Sequence, residues 1–294
     1  MISRLSPASV IAALLGLLLS AGDLRARDFG ASAAMLGSGD AGISSSSGTA
    51  ALYANPAGMA GLMMYSIETG YDYSNPQNGH GFHASLSDSR TNQYVSAGLS
   101  YAYANAKADQ FMGGRYTYEG HHLRVALASG YRSRAVAILF GAGLKYYKVS
   151  RTPEANIDTI NMDVGALLSI MDLVRIGVVG YNVIVQDDRT AMPISLGLGI
   201  SFNYGGLVGA FDTVLDFRQT DNVTPIYRLG LEYFLAGMLA LRTGFEFDQL
   251  TDARRVTTGI GYISSAWGID VGYRQNVQDQ EDALVAVTLR FFIP

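Results

Sequence analysis

From Tyr227 towards the end of the chain, apolar side chains fall on every second position. Leu229, Leu231 and Tyr233 keep step with Tyr227, and Arg228, Gly230 and Glu232 lie between them. Leu239, Leu241, Phe245 and Phe247 then alternate with Ala240, Arg242, Gly244, Glu246 and Asp248. Trp267, Ile269, Val271 and Tyr273 do the same with Gly268, Asp270, Gly272 and Arg274. Successive side chains of a strand point to opposite faces, so each segment has one apolar face and one of glycines and charges. A soluble sandwich also alternates. Spans of about ten residues, apolar faces ending in aromatics and charges of both signs opposite them instead fit strands that cross a bilayer in a closed barrel.

Followed back through the chain, the beat predicts fourteen strands, at 62–73, 80–87, 93–105, 119–131, 136–149, 160–170, 173–184, 192–203, 206–218, 225–235, 238–248, 254–263, 266–276 and 282–293. It is clean at Ile194, Leu196, Leu198, Ile200 and Phe202, and weakest at 173–184, where Val178 and Val179 make both faces apolar. Connections alternate in length. Arg132-Ser133-Arg134, Met171-Asp172, Tyr204-Gly205, Ala236-Gly237 and Ser264-Ser265 are tight; 107–115, 151–156, 186–190, 219–224 and 278–281 are longer and polar. Outer-membrane barrels put short turns at the periplasmic rim and longer loops outside, and an even strand count returns both termini to the periplasmic side. The last strand, with Val285, Val287, Leu289, Phe291 and Ile293 towards lipid, resembles the C-terminal assembly signal of such barrels, although Pro294 follows it. The fold class expected is all-β, a transmembrane antiparallel barrel over 62–294.

Residues 1–26 read as a cleaved secretory signal, with Arg4 at its start, an apolar run from Val10 to Leu19 and small residues at Ser20, Ala21 and Ala26. That run is about half the length a membrane-crossing helix needs. No later stretch reaches the roughly eighteen apolar residues of a spanning helix, which argues against a helical membrane protein. The chain is expected in the bacterial outer membrane.

Composition sharpens this reading. Charged residues make up 16%, against 34 glycines and 18 tyrosines, which suits small lumenal side chains and aromatic rims. The chain has no cysteine, so neither a thiol-linked lipid anchor nor a disulfide is available. A net charge of -4 leaves no electrostatic footprint for nucleic acid. A closed sheet has no edge to share, so the expected barrel is monomeric, with outer-membrane lipid as its surroundings.

The off-beat positions collect Glu68, Asp72, Asp163, Asp212, Asp216, Glu232, Glu246 and Asp270 on the lumenal side. Against them stand Arg124, Lys145, Arg175, Arg218, Arg228, Arg242, Arg274 and Arg290. Burying lone charges is costly, so this balanced set is read as a salt-bridge lattice, with Arg228, Glu232, Arg242, Glu246, Asp270, Arg274 and Arg290 at its centre. The functional alternative is a polar conduit or the floor of a binding site. A strongly ion-selective pore would show an excess of one sign.

Residues 27–61 have a different grammar, rich in small side chains and belonging to no strand. They are long enough to fold back into the lumen as a plug. Asn55-Pro56 suits a helix start, with Asn as cap and Pro at the first position, and Gly58 or Gly61 can end the turn. The stretch G-S-G-D-A-G, Gly37 to Gly42, followed by A-L-Y-A-N-P-A-G-M-A, Ala51 to Ala60, resembles the N-terminal hallmark of the FadL-type outer-membrane transporters and their PorV-like relatives. The resemblance implies a fourteen-stranded barrel plugged by this segment, with Asn55, Pro56, Ala57 and Gly58 fixing the plug and lumen glycines leaving a narrow path. It also implies a passive channel for small hydrophobic molecules, which in the transporters pass sideways through the wall. Short outer loops set this chain apart from them. PorV-like relatives supply the alternative, a structural barrel that anchors a secretion or gliding-motility complex through periplasmic or outer-membrane partners.

Other motifs carry less. Gly37-x-Gly39-x-x-Gly42 matches a dinucleotide fingerprint in form, but no apolar strand precedes it. His80 with His83, and His121 with His122, invite a surface metal site, yet no acid cluster completes one and solvated loop histidines are the simpler reading. A hydrolase would have to assemble its histidine from these four, and no G-x-S-x-G elbow is present. The Asn222-Val-Thr sequon has no meaning in a bacterial outer membrane. Neither catalysis, metal nor cofactor is expected.

Overall fold

The structure is a computed structural model that describes residues 32–75, 78–109, 115–152, 156–184, 192–217 and 223–293. The signal at 1–26, Arg218, the sequon at Asn222 and Pro294 lie outside the described residues. Fourteen strands form one closed antiparallel barrel. In chain order they are β1 Tyr65–Ser74, β2 Gly79–Asp88, β3 Val95–Asp109, β4 Arg115–Arg132, β5 Val136–Thr152, β6 Ile157–Ile170 and β7 Val174–Tyr181. β8 Ser195–Tyr204, β9 Leu207–Asp216, β10 Thr224–Leu235, β11 Leu239–Asp248, β12 Ala253–Ile263, β13 Trp267–Asn276 and β14 Ala283–Ile293 follow. β1 closes the ring on β14, from Tyr65 opposite Ile293 to Ser74 opposite Leu284.

The alternation of the sequence is the alternation of the wall. Leu127, Phe140, Leu144, Ile200, Leu229 and Ile260 stand on the outside with roughly half of their surface uncovered, while their neighbours on each strand are buried or half-buried inside. An apolar outer face this continuous is stable only against lipid. Val178 and Val179 on β7 owe their doubled apolar character to two different contacts: Val178 lies on the outer face, and Val179 is fully buried against Ile43 of the N-terminal segment. β7 ends at Tyr181, short of the expected 184.

Tight turns close one rim. Met171 and Asp172 adopt positive φ, as do Gly205 with Gly206 and Ala236 with Gly237, a backbone twist that matches the right-handed twist of paired strands. The opposite rim carries the longer connections, and there β3 to β6 rise above the rest. They span 15, 18, 17 and 14 residues, against 10 in β1 and β2. Five additional residues add about 17 Å of strand. Between Leu99 and Lys107 the outer face of β3 passes from leucine through Tyr101 and Tyr103 to Asn105, which marks the level where lipid gives way to water.

Residues 32–61 fill the lumen. They form helix α1 Ala33–Gly37, a 3-10 turn at Gly48–Ala50, helix α2 Ala51–Ala54 and a second 3-10 turn at Pro56–Gly61. α1 lies against β11 to β14, and the Pro56–Gly61 turn against β3 to β6, so the segment crosses the barrel from wall to wall.

Candidate functional site

The plug is seated on glycines. Gly230 and Gly244 face each other across β10 and β11, and Gly259 and Gly272 across β12 and β13. On the opposite wall Gly141 pairs with Gly165, and Gly177 with Gly199. A Cβ added at any of these would collide with something: with Ser38 or Gly39 at the first pair, with Gly37 or Ala33 at the second, with Pro56, Ala57 or Asn55 at the third, and with Ile43 at the fourth. This corrects the expectation that the lumen glycines leave a narrow path. Removing side chains there lets one backbone approach another, and the plug occupies the space.

Asn55 holds the centre. Its Oδ1 accepts the N–H of Ala57 at 3.1 Å, capping a turn that begins with Pro56 and is 3-10 rather than α-helical. Its Nδ2 donates to the carbonyls of Ile43 at 3.0 Å, Ala166 at 3.2 Å and Val178 at 3.4 Å. One fully buried amide thus ties two turns of the plug to β6 and β7. Pro56, Ala57 and Gly58 are buried beside it, and Gly58 packs against the carbonyl of Ser46.

Wall side chains reach in to complete the seat. Asp212 accepts the Ile43 N–H at 2.8 Å, and Tyr181 donates its hydroxyl to the carbonyl of Ala54 at 2.5 Å. Glu68 accepts from Ser32 at 3.2 Å and Thr49 at 3.4 Å, and His83 stands 3.5 Å from its other oxygen. These buried polar groups would cost far more without the plug than with it.

The charge lattice surrounds α1. Glu246 takes Arg228 at 2.8 Å and Arg255 at 2.7 Å; Asp270 takes Arg242 at 2.7 Å and Arg290 at 2.5 Å, and Glu232 also pairs with Arg242. Arg274 points to Asp40 of the plug at 3.8 Å. Sequence reading missed Arg255 and Asp40 as members. Arg255 was detectable, because Val256, Ile260 and Tyr262 fall on the outer beat and put it inside. Asp40 was not, since no periodicity governs the plug. Arg175, predicted for the lumen, stands near the tight-turn rim, 3.8 Å from the exposed Asp172.

Below the plug, on the tight-turn side, lies a cavity of about 260 Å³. Ser38, Ser45 and Ser46 of the plug line it opposite Arg175, Glu232 and Arg290. The four histidines separate by face. His80 and His121 sit outside, bonded to the hydroxyls of Tyr71 at 2.7 Å and Tyr101 at 2.8 Å. His83 and His122 are buried inside, so the odd spacing of each sequence pair along its strand keeps its members on opposite faces.

The wall itself is hydrogen-bonded between every neighbouring pair of strands. It has one step. β6 continues to Ile157, but its pairing with β7 stops at Val164 opposite Gly180. Above it, side-chain bonds flank a single backbone bond: Asp163 accepts the Asn182 N–H at 2.9 Å, the Met162 carbonyl accepts the Val183 N–H at 2.9 Å, and Asn161 accepts the Ile184 N–H at 3.0 Å.

No protein-family model and no curated protein matches this chain. Solved structures do. The chain superposes on the CymD monoaromatic hydrocarbon channel with a TM-score of 0.64 at 13% identity, covering 90% of this chain and 97% of that one. The Ralstonia pickettii toluene transporter TbuX gives 0.63 at 12% identity, over 91% and 98%. A Pseudomonas aeruginosa FadL homologue gives 0.63 at 10% identity, over 89% and 98%. The fourteen-stranded closed barrel and its chain-long likeness to these structures give this protein the fold of the FadL-type channels.

Proposed function

We propose that the protein is a passive outer-membrane channel for small hydrophobic molecules, acting as a monomer and without catalysis. The observation that carries the reading is the likeness, over nearly the whole of both chains, to proteins described as monoaromatic hydrocarbon channels and toluene transporters. The stoppered lumen agrees with it, because a general water-filled pore would need an open bore, and here α1 and the Pro56–Gly61 turn press on opposite walls. Passage therefore requires either a shift of the plug or a route beside it. Asn55 with its neighbours Pro56, Ala57 and Gly58 fixes the resting position, and the lattice of Arg228, Glu232, Arg242, Glu246, Asp270, Arg274 and Arg290 keeps the wall in shape around it. Residues 1–26 act as the export signal in this reading.

One observation favours a second reading. The plug is closely seated and every strand pair is bonded, as a rigid barrel that anchors a partner complex would be. Uptake of radiolabelled toluene into liposomes separates the two. A channel raises the initial rate over protein-free liposomes; equal rates, together with co-purification of stoichiometric partners from mild detergent, favour the anchor.

A further inference from the structure

Arg124 on β4 and Lys145 on β5 are register partners in the lumen wall, which places two positive charges side by side. Like charges directly opposite each other destabilise a sheet unless each finds a counter-charge. Lys145 has one, since Asp163 Oδ1 lies 2.6 Å from its Nζ. Arg124 forms no ion pair of its own among the described residues, and the Asp163 carboxylate whose charge it feels is already held by Lys145. Its Nη2 donates to the Tyr147 hydroxyl at 2.8 Å, its guanidinium carbon stands 4.5 Å from the centre of the Tyr53 ring, and Nη1 has no partner. The residue is only 8% exposed. A buried cation left without an anion is unfavourable, and folds retain one when something else supplies the negative charge.

Its surroundings describe that supplier. His122 lies two residues away on the same face of β4, is 2% exposed and has no partner at Nδ1. Its ring packs 4.4 Å from that of Tyr147. Tyr118, nearer the long-loop rim, lies folded along the strand with its hydroxyl 3.3 Å from His122 Nε2. Gly120 makes room for it: a Cβ there would stand 2.7 Å from that hydroxyl and 3.0 Å from the ring. The lumen face thus presents a guanidinium fork with a free arm, a second nitrogen donor and three tyrosine rings, covered from above by a side chain lying over a glycine.

We propose that Arg124 anchors a binding site for an aromatic carboxylate, a planar ring bearing one carboxyl group, within the upper lumen. The guanidinium fork and the His122 Nδ1–H hold the carboxylate, and Tyr53, Tyr147 and Tyr118 pack the ring. Tyr118 swings off Gly120 to admit it. A straight alkyl acid satisfies the charge but leaves the ring contacts unused; a neutral hydrocarbon does the reverse. As a statement about substrate class this rests on the channel reading, whereas binding itself does not.

The test uses the full-length protein in detergent, with benzoate, octanoate and toluene as probes. Equilibrium dialysis should show saturable benzoate binding that octanoate and toluene at equal concentration compete with at least tenfold less effectively. Arg124→Gln should weaken benzoate binding about tenfold or more, the loss expected for a charge-assisted bond. The ligand-free Arg124→Gln barrel should melt no lower than the parent, because an unbalanced charge is gone; a purely structural arginine predicts a lower melting temperature. If that variant does not fold, His122→Phe carries the test, and unchanged benzoate affinity there overturns the site. Absence of saturable benzoate binding, or octanoate binding as tight, also overturns it. Toluene uptake without benzoate binding removes this site and leaves the channel; benzoate binding without uptake of any aromatic compound keeps the site and removes the channel.

Discussion

Gly230 and Gly244 face each other across β10 and β11, and the Ser38-Gly39 backbone of the plug lies against both. The closeness leaves no room for a methyl group on either strand. Gly244→Val should therefore cost about 1–3 kcal/mol, as overpacking a filled site does, and should release α1 from the wall. Limited proteolysis of the purified protein checks this: new cleavage within residues 32–45 is expected in the variant and none in the parent.

Asn55 reaches four backbone groups, one in its own turn, one at Ile43 and two on the wall that share an N–H. Asn55→Ala removes the cap, worth about 1 kcal/mol, and takes the donor from the buried Ile43 carbonyl at a further cost of roughly 1–3 kcal/mol. The barrel strands do not depend on it. Heat-modifiable migration on a detergent gel should survive in Asn55→Ala, while hydrogen exchange at 43–58 accelerates by a factor of ten or more.

Much of the barrel was legible because lipid imposes one rule on every strand: an apolar side chain at every second position. The fourteen strands follow from that rule, and even Val179, which breaks it, does so for a reason the rule cannot contain, namely burial against Ile43. The plug obeys no period. Its Asn55-Pro56 turn was readable from local chemistry, but its seating on Gly141, Gly177, Gly230 and Gly259 joins residues far apart in the chain. Equal numbers of acids and bases likewise gave no hint that Lys145 takes Asp163 and leaves Arg124 without an ion pair of its own, because pairing depends on register and side-chain reach. The longer β3 to β6 were foreseen only in part, since alternation fades above the membrane, where neither face needs to be apolar.

Asp270 is fully buried between Arg242 and Arg290. Asp270→Asn keeps the shape and removes the charge, which leaves two guanidinium groups in the wall with too little compensation; a loss of about 3–5 kcal/mol is expected. Adding Arg290→Gln should restore part of it. A double-mutant cycle by thermal or denaturant unfolding in detergent should give a coupling of at least about 1 kcal/mol, and additive losses would disprove the pairing.

Leu127 stands on the outer face of β4 with 57% of its surface uncovered. If that face meets lipid, Leu127→Arg should destabilise the barrel by roughly 2–4 kcal/mol, whereas the same change at Tyr204, at the tight-turn rim of the outer face, should cost about 0–1 kcal/mol. Folding titrations into lipid vesicles measure the difference, and equal costs would remove the membrane assignment.

Conductance across a planar lipid bilayer tests most directly that the N-terminal segment stoppers the barrel. The full-length protein should give almost no ion current, and a chain lacking residues 32–61 should insert in discrete steps of open-pore conductance. Equal conductance from the two proteins, whether both open or both closed, would contradict the account.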